Sequence, residues 1–143
     1  MTSATIRRPL ALLRRLGAKP RAERRLLVTA AATQACVIAA LRAGLPPIWT
    51  FPGARPAPAA ARAVQATSGI FGEASTCLSR ALTVRCLLGD DSTVVLLGVR
   101  SSDGPALDAH AWVECAGGSL LDTVPGEPYT PIARLEGRRW LRA

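Results

Sequence analysis

The stretch Gly72-Glu-Ala-Ser-Thr-Cys77-Leu-Ser-Arg-Ala-Leu-Thr-Val-Arg-Cys-Leu-Leu88-Gly-Asp-Asp-Ser-Thr93-Val-Val-Leu-Leu-Gly-Val99 changes its hydrophobic period half-way along. Ser75 or Thr76 is a natural N-cap, because a short side-chain oxygen there accepts one of the N–H groups left open at a helix start. Leu78, Leu82, Arg85 and Cys86 follow at helical spacing, and Gly89-Asp90-Asp91 breaks the run. Thr93 to Val99 is β-branched and apolar, the composition of a buried strand. A helix opening at Cys77 therefore leads straight into sheet.

The same reading extends in both directions. Downstream, Ser101 to Pro105 is a turn, followed by strands near 107–115 and 119–124 joined around Gly117-Gly118. Upstream, Ala57 to Thr67 reads as a helix ended by Ser68-Gly69. The proline-rich stretch Pro46 to Pro58 should be extended, with Trp49 and Phe51 anchoring it on the core. Pro20 suits the first turn of a helix that runs to about Arg42, before Gly44 and Pro46-Pro47 stop it. Residues 5–16 form a short basic helix in this reading, with Leu10, Leu12, Leu13 and Leu16 apolar. Helices followed by a small antiparallel sheet define an α+β domain. A chain of 143 residues has room for one core and is short for two. The expected organisation is a single domain over 1–143, with a basic helical region at 1–68 and the remaining core at 69–143.

Charge is unevenly placed. Residues 1–62 carry eleven Arg or Lys against Glu23 alone, whereas residues 63–143 carry seven basic and nine acidic residues. A basic front half raises nucleic acid, an anionic membrane or an acidic peptide as partners, against the plainer reading of a solvated helix face. Zinc-finger spacing, an RNP aromatic pair and a Gly-x-x-Gly clamp are all missing from the sequence, which argues against nucleic acid. Leu26 to Leu41 is uncharged and follows Arg24-Arg25, like an export signal or an anchor. Its sixteen residues fall short of the roughly 20 needed to span a bilayer. Arg21, Arg25, Thr29 and Thr33 also recur on one face, the pattern of a helix packed on a core. The four cysteines, at 36, 77, 86 and 115, include no Cys-x-x-Cys pair, and one histidine is too few for an ordinary zinc site. No metal or cofactor is expected, and free thiols in a cytoplasmic setting fit better than disulfides.

Three residues carry the chemistry. Cys77 opens the helix, His110 is the only histidine and lies in Asp108-Ala-His-Ala-Trp-Val-Glu114, and Asp122 closes an apolar run. A thiol attacks as thiolate, and a free cysteine with pKa near ~8.5 is only slightly ionised at neutral pH. A helix N-terminus and a neighbouring imidazolium both favour the thiolate, and the same N–H groups can bind an oxyanion. Gln65 is a conceivable second oxyanion donor. With a three-residue loop over 116–118, Cys115 pairs with Ser119 and Asp122 lies diagonally beside His110 on one face. With a two-residue Gly117-Gly118 turn, Asp122 points the other way. Asp108 and Glu114 share the parity of His110 and are the reserve carboxylates. The bland reading of each residue alone stays open: a small buried cysteine, a structural histidine, a turn-capping aspartate.

Cys77-Leu-Ser-Arg80-Ala-Leu82, Gly98-Val-Arg100, Ala109-His-Ala-Trp-Val-Glu114 and Asp122 together resemble the lasso-peptide B2 proteins, small bacterial cysteine proteases of the transglutaminase-like, papain-related superfamily. The resemblance covers about residues 70–125 and departs from the family in the loop Gly89 to Thr93. It implies a transglutaminase-like catalytic core with Cys77, His110 and Asp122 as its triad. It also implies removal of a leader peptide from a ribosomally made precursor. The partners implied are the precursor, a separate leader-recognition protein and an ATP-dependent lasso cyclase. The rivals are a transglutaminase-type acyl transferase and a non-enzymatic module that binds a peptide or partner.

Overall fold

The computed structural model describes residues 19–47, 49–51, 55–90, 92–101, 107–116, 118–121 and 128–142. Three helices, α1 (Arg21–Arg42), α2 (Ala57–Ser68) and α3 (Cys77–Leu88), precede five strands. The strands are β1 (Val94–Ser101), β2 (Leu107–Cys115), β3 (Gly118–Leu120), β4 (Thr130–Glu136) and β5 (Arg139–Arg142). They form one antiparallel sheet in the order β3-β2-β1-β4-β5. This is the expected α+β architecture. The short helix placed at 5–16 lies outside the described residues.

The central element is α3, buried on every side from Ala81 to Leu88. A helix without a polar face belongs inside a core, and α3 packs against α1 and α2 on one side and β1 and β2 on the other. Val37, Val64, Leu82, Val84, Leu87, Val95, Ala111, Val113 and Leu135 fill the space between the layers, with Trp49 and Phe51 packed against them. α1 is long and apolar enough by length and composition to cross a membrane, yet Ala30, Thr33, Gln34, Val37, Ile38 and Ala40 are all buried inside this fold.

The stop after α3 is stereochemical. Gly89 adopts φ 68° as a left-handed C-cap, and a Cβ there would lie 2.4 Å from the Phe51 carbonyl oxygen. The Phe51 N–H in turn donates to the Cys86 carbonyl at 2.9 Å, so the proline-rich segment is sewn onto the end of α3. The buried Arg85 guanidinium donates to the Gly137 carbonyl, fastening α3 to the β4–β5 turn.

Two strand readings change. Of the strand expected at 119–124, β3 covers Ser119 and Leu120, Leu121 takes φ 70° and leaves the extended ladder, and residues 122–124 lie outside the described residues. The strands β4 and β5 were not anticipated. The β2–β3 register also differs from both turns considered: Cys115 pairs with Gly118, which leaves a two-residue connection at 116–117.

Candidate active site

Cys77 is the first residue of α3 and is half-buried. Thr76 is extended (φ −74°, ψ 164°) and its hydroxyl accepts the Ser79 N–H at 3.2 Å, so Thr76 is the N-cap. Ser75 does not cap the helix. Its hydroxyl instead accepts a 2.7 Å hydrogen bond from Nε2 of Gln34, a fully buried residue of α1. The loop before the cysteine is thus held from both sides. The N–H groups of Cys77 itself and Leu78 belong to the first turn, where no intrahelical carbonyl is available, and their partial positive charge favours an anion at the sulfur.

His110 lies in the middle of β2, 9% exposed, and pairs across the ladder with Gly98 of β1. Alternation puts it on the face opposite Ala111 and Val113, which pack into the helical core. Two aromatic rings cover it. Trp112 is nearly parallel (11°) with ring centroids 6.2 Å apart, and Tyr129 is tilted by 33° at 5.1 Å. Trp112 and Tyr129 are themselves 6.4 Å apart. Three similar distances describe a triangle of rings, not a sandwich.

Tyr129 is tied into a polar clasp. Its hydroxyl donates to Asp108 Oδ2 at 2.7 Å, and Arg100 Nε donates to the same oxygen at 2.9 Å. The Arg100 guanidinium also lies 4.5 Å from the Tyr129 ring centroid, a cation–π distance. The tyrosine hydroxyl, with help from Arg100 and His110, holds the Asp108 carboxyl below the usual range against a partial desolvation that pushes the other way. The same hydrogen bond holds Tyr129 above an ordinary phenol, and partial burial adds to it. Cys77 contributes as well: as thiolate it is near enough to raise Tyr129 further. Tyr129 is thus in ring contact with the imidazole, while the thiol acts on it through space as the last of these influences.

Asp122 lies outside the described residues. The parity argument that placed it beside His110 needs a three-residue loop or a bulge; the connection has two residues, and Leu121, at φ 70°, interrupts the alternation before it. Both reserve carboxylates have partners: Asp108 in the clasp, and Glu114 accepting Trp112 Nε1–H at 3.0 Å. Gln65 is exposed on α2 and lines a groove of about 920 Å³ between α1 and α2 whose walls include neither Cys77 nor His110. Its proposed oxyanion role has no support from that position. Sequence reasoning missed Tyr129, the only tyrosine of the chain, and Gln34. Among the other thiols, burial pushes Cys86 up to about 11, while Cys36 is exposed. Among the described residues no group of three His, Cys, Asp or Glu is placed to hold a metal.

A cysteine on a capped central helix and a histidine on the adjoining antiparallel sheet are the marks of a papain-like or transglutaminase-like domain. The chain belongs to the transglutaminase-like superfamily, whose model matches residues 2–134. Catalysis in that superfamily is typically cysteine-based. No curated protein and no solved structure matches the chain.

Proposed function

We propose that this protein is a cysteine endopeptidase that removes the leader from a ribosomally synthesised lasso precursor peptide. In this reading it acts in the cytoplasm with a separate leader-recognition protein, and the product passes to an ATP-dependent cyclase. The observation that carries the reading is that a Thr76-capped helix opening on the half-buried Cys77 packs against β2, the strand that carries the sole histidine, in a chain of the transglutaminase-like superfamily. The B2-like motifs around those two residues supply the substrate class.

The chemistry then follows from the residue types. The Cys77 sulfur gives its proton to His110 and attacks the scissile carbonyl carbon. The first-turn N–H groups receive the oxyanion. His110 gives its proton to the departing amine, leaving a thioester on Cys77. A water molecule, deprotonated by His110, then hydrolyses the thioester and restores the thiol–imidazole pair. Asp122 completes the triad by holding the imidazole in its charged form without taking its proton.

The test is cleavage of a purified precursor in the presence of its recognition protein. Cys77→Ala and His110→Ala should abolish turnover with the fold intact, and Asp122→Ala should lose less. Persisting turnover in either of the first two variants removes the peptidase reading. A transglutaminase uses the same thioester but a different acceptor, so incorporation of a labelled amine in place of hydrolysis would replace leader removal with acyl transfer.

A further inference from the structure

The imidazole of a catalytic histidine needs its plane fixed, and the χ2 torsion that sets this plane is intrinsically broad. The residue opposite His110 across β1 is Gly98, which has no side chain, and the space above Gly98 is occupied by the far end of the Trp112 ring. Trp112 belongs to the same strand as His110 and packs against it from that side. A further neighbour, Tyr129, comes from a distant part of the chain, just ahead of β4.

We propose that Tyr129 is a positioning residue for His110, locked against the imidazole by Asp108 and Arg100. The proposal rests on the peptidase reading for its catalytic consequence but not for its structural one. Its ground is a closed cycle of three contacts. Arg100 holds Asp108 at 2.9 Å, Asp108 holds the Tyr129 hydroxyl at 2.7 Å, and the Tyr129 ring lies 4.5 Å beneath Arg100. Each member has two partners, so the ring cannot turn without breaking one of them. The locked ring stands 5.1 Å from the imidazole at a 33° tilt, within the range of favourable ring–ring contact.

This assignment gives Asp108 a role different from that of a triad acid. Its Oδ2 accepts both Tyr129 and Arg100, so it acts on the imidazole through the tyrosine. It also explains why an arginine stands two residues after Gly98. On β1 only the even-numbered face reaches the Asp108–Tyr129 pair, and Arg100 is paired with Asp108 in the ladder.

Three variants separate the parts of the clasp. Tyr129→Phe keeps the ring and loses the hydroxyl, Tyr129→Leu loses the ring, and Asp108→Asn weakens the acceptor. Because His110 is the only histidine, its Cε1–H resonance is unambiguous, and the neighbouring rings shift it. That resonance should move on Tyr129→Leu, and move less on Tyr129→Phe, in samples whose amide spectra remain dispersed. With precursor peptide as substrate, Tyr129→Leu should lower kcat about 10- to 100-fold through misorientation of the base, with KM within about twofold of the wild type; Tyr129→Phe should recover most of the loss. The double variant Tyr129→Phe with Asp108→Asn should be no worse than the poorer single variant, since both open one cycle. An unmoved Cε1–H signal in Tyr129→Leu overturns the proposal, and so does a raised KM with kcat retained. If the wild type fails to cleave precursor, the peptidase reading falls, and the resonance measurement alone decides the fate of the clasp.

Discussion

Gly98→Ala adds one methyl group at the point where β1, β2 and β4 crowd together around His110. The new Cβ would lie 2.8 Å from both Cη2 and Cζ3 of Trp112 and 3.0 Å from the Thr130 carbonyl oxygen. Two of these atoms belong to a rigid indole whose Nε1–H is engaged by Glu114, and the third is backbone of the neighbouring strand. Neither side yields cheaply. Forcing an extra methyl into such a space costs about 1–3 kcal/mol, which for a domain near this size lowers the melting temperature by roughly 4 °C per kcal/mol. Thermal or urea denaturation reads the effect directly. Trp112→Phe withdraws the outer edge of the indole, so the alanine penalty should shrink when measured in that background. A Gly98→Ala protein that melts with the wild type, or a penalty unchanged by Trp112→Phe, would refute the steric argument.

Other expectations rest on separate features. Loss of precursor cleavage in Cys77→Ala and His110→Ala, with a milder loss in Asp122→Ala, is the direct check of the proposed chemistry. Thr76→Ala removes the hydroxyl that caps α3 and should cost about 1 kcal/mol in denaturant titrations; no loss would mean that the cap hydrogen bond contributes nothing. Iodoacetamide at pH 8 should modify the exposed Cys36 and leave Cys86 untouched, since burial holds that thiol protonated up to about 11; mass spectrometry of the peptides decides. The clasp also predicts a pH dependence. Asp108 is held below its ordinary value of 3.8, so its contribution to stability is present above that value and lost as pH falls through the lowered one. Tyr129 is held above 10.0, so its contribution is present below that value and lost as pH rises through the raised one. The stability difference between the wild type and Asp108→Asn should therefore be greatest between these limits and shrink outside them; a pH-independent difference would contradict the clasp.

The helical half and the first two strands were legible because their signals are local. Thr76 caps, Gly89 stops, and the change from helical spacing to β-branched residues happens within a few positions. β4 and β5 were not legible, for two reasons. Of Thr130 to Glu136 only Leu135 is fully buried, so no period-two alternation reaches the sequence. Pro131 argues against a strand interior. It is tolerated because Leu97 pairs with Ala133 and Gly98 with Pro131, leaving Ile132 as an extra residue in a bulge, while β5 pairs only from Ala133 onward. At the site, Cys77 and His110 stand out as residue types in recognisable contexts. Tyr129 does not, because its closeness to His110 arises from the pairing of β4 with β1, a long-range event with no spacing rule. The position of Asp122 was not legible, because a single left-handed residue, Leu121, cancels any parity counted through it.

The anchoring of Arg85 has a bearing on how far the C-terminal hairpin can be trimmed. The superfamily match ends at residue 134, three positions before the glycine whose carbonyl receives that guanidinium. Arg85 is 1% exposed, and its Nε and Nη1 have no hydrogen-bond partner among the described residues. Cutting the chain at the edge of the family match would strand a solvent-starved cation inside α3, the helix that opens on Cys77, a situation far costlier than losing a surface hairpin. The β4–β5 turn is thus an internal counterpart to the cysteine helix, although the four residues of the strand that follows it are all exposed.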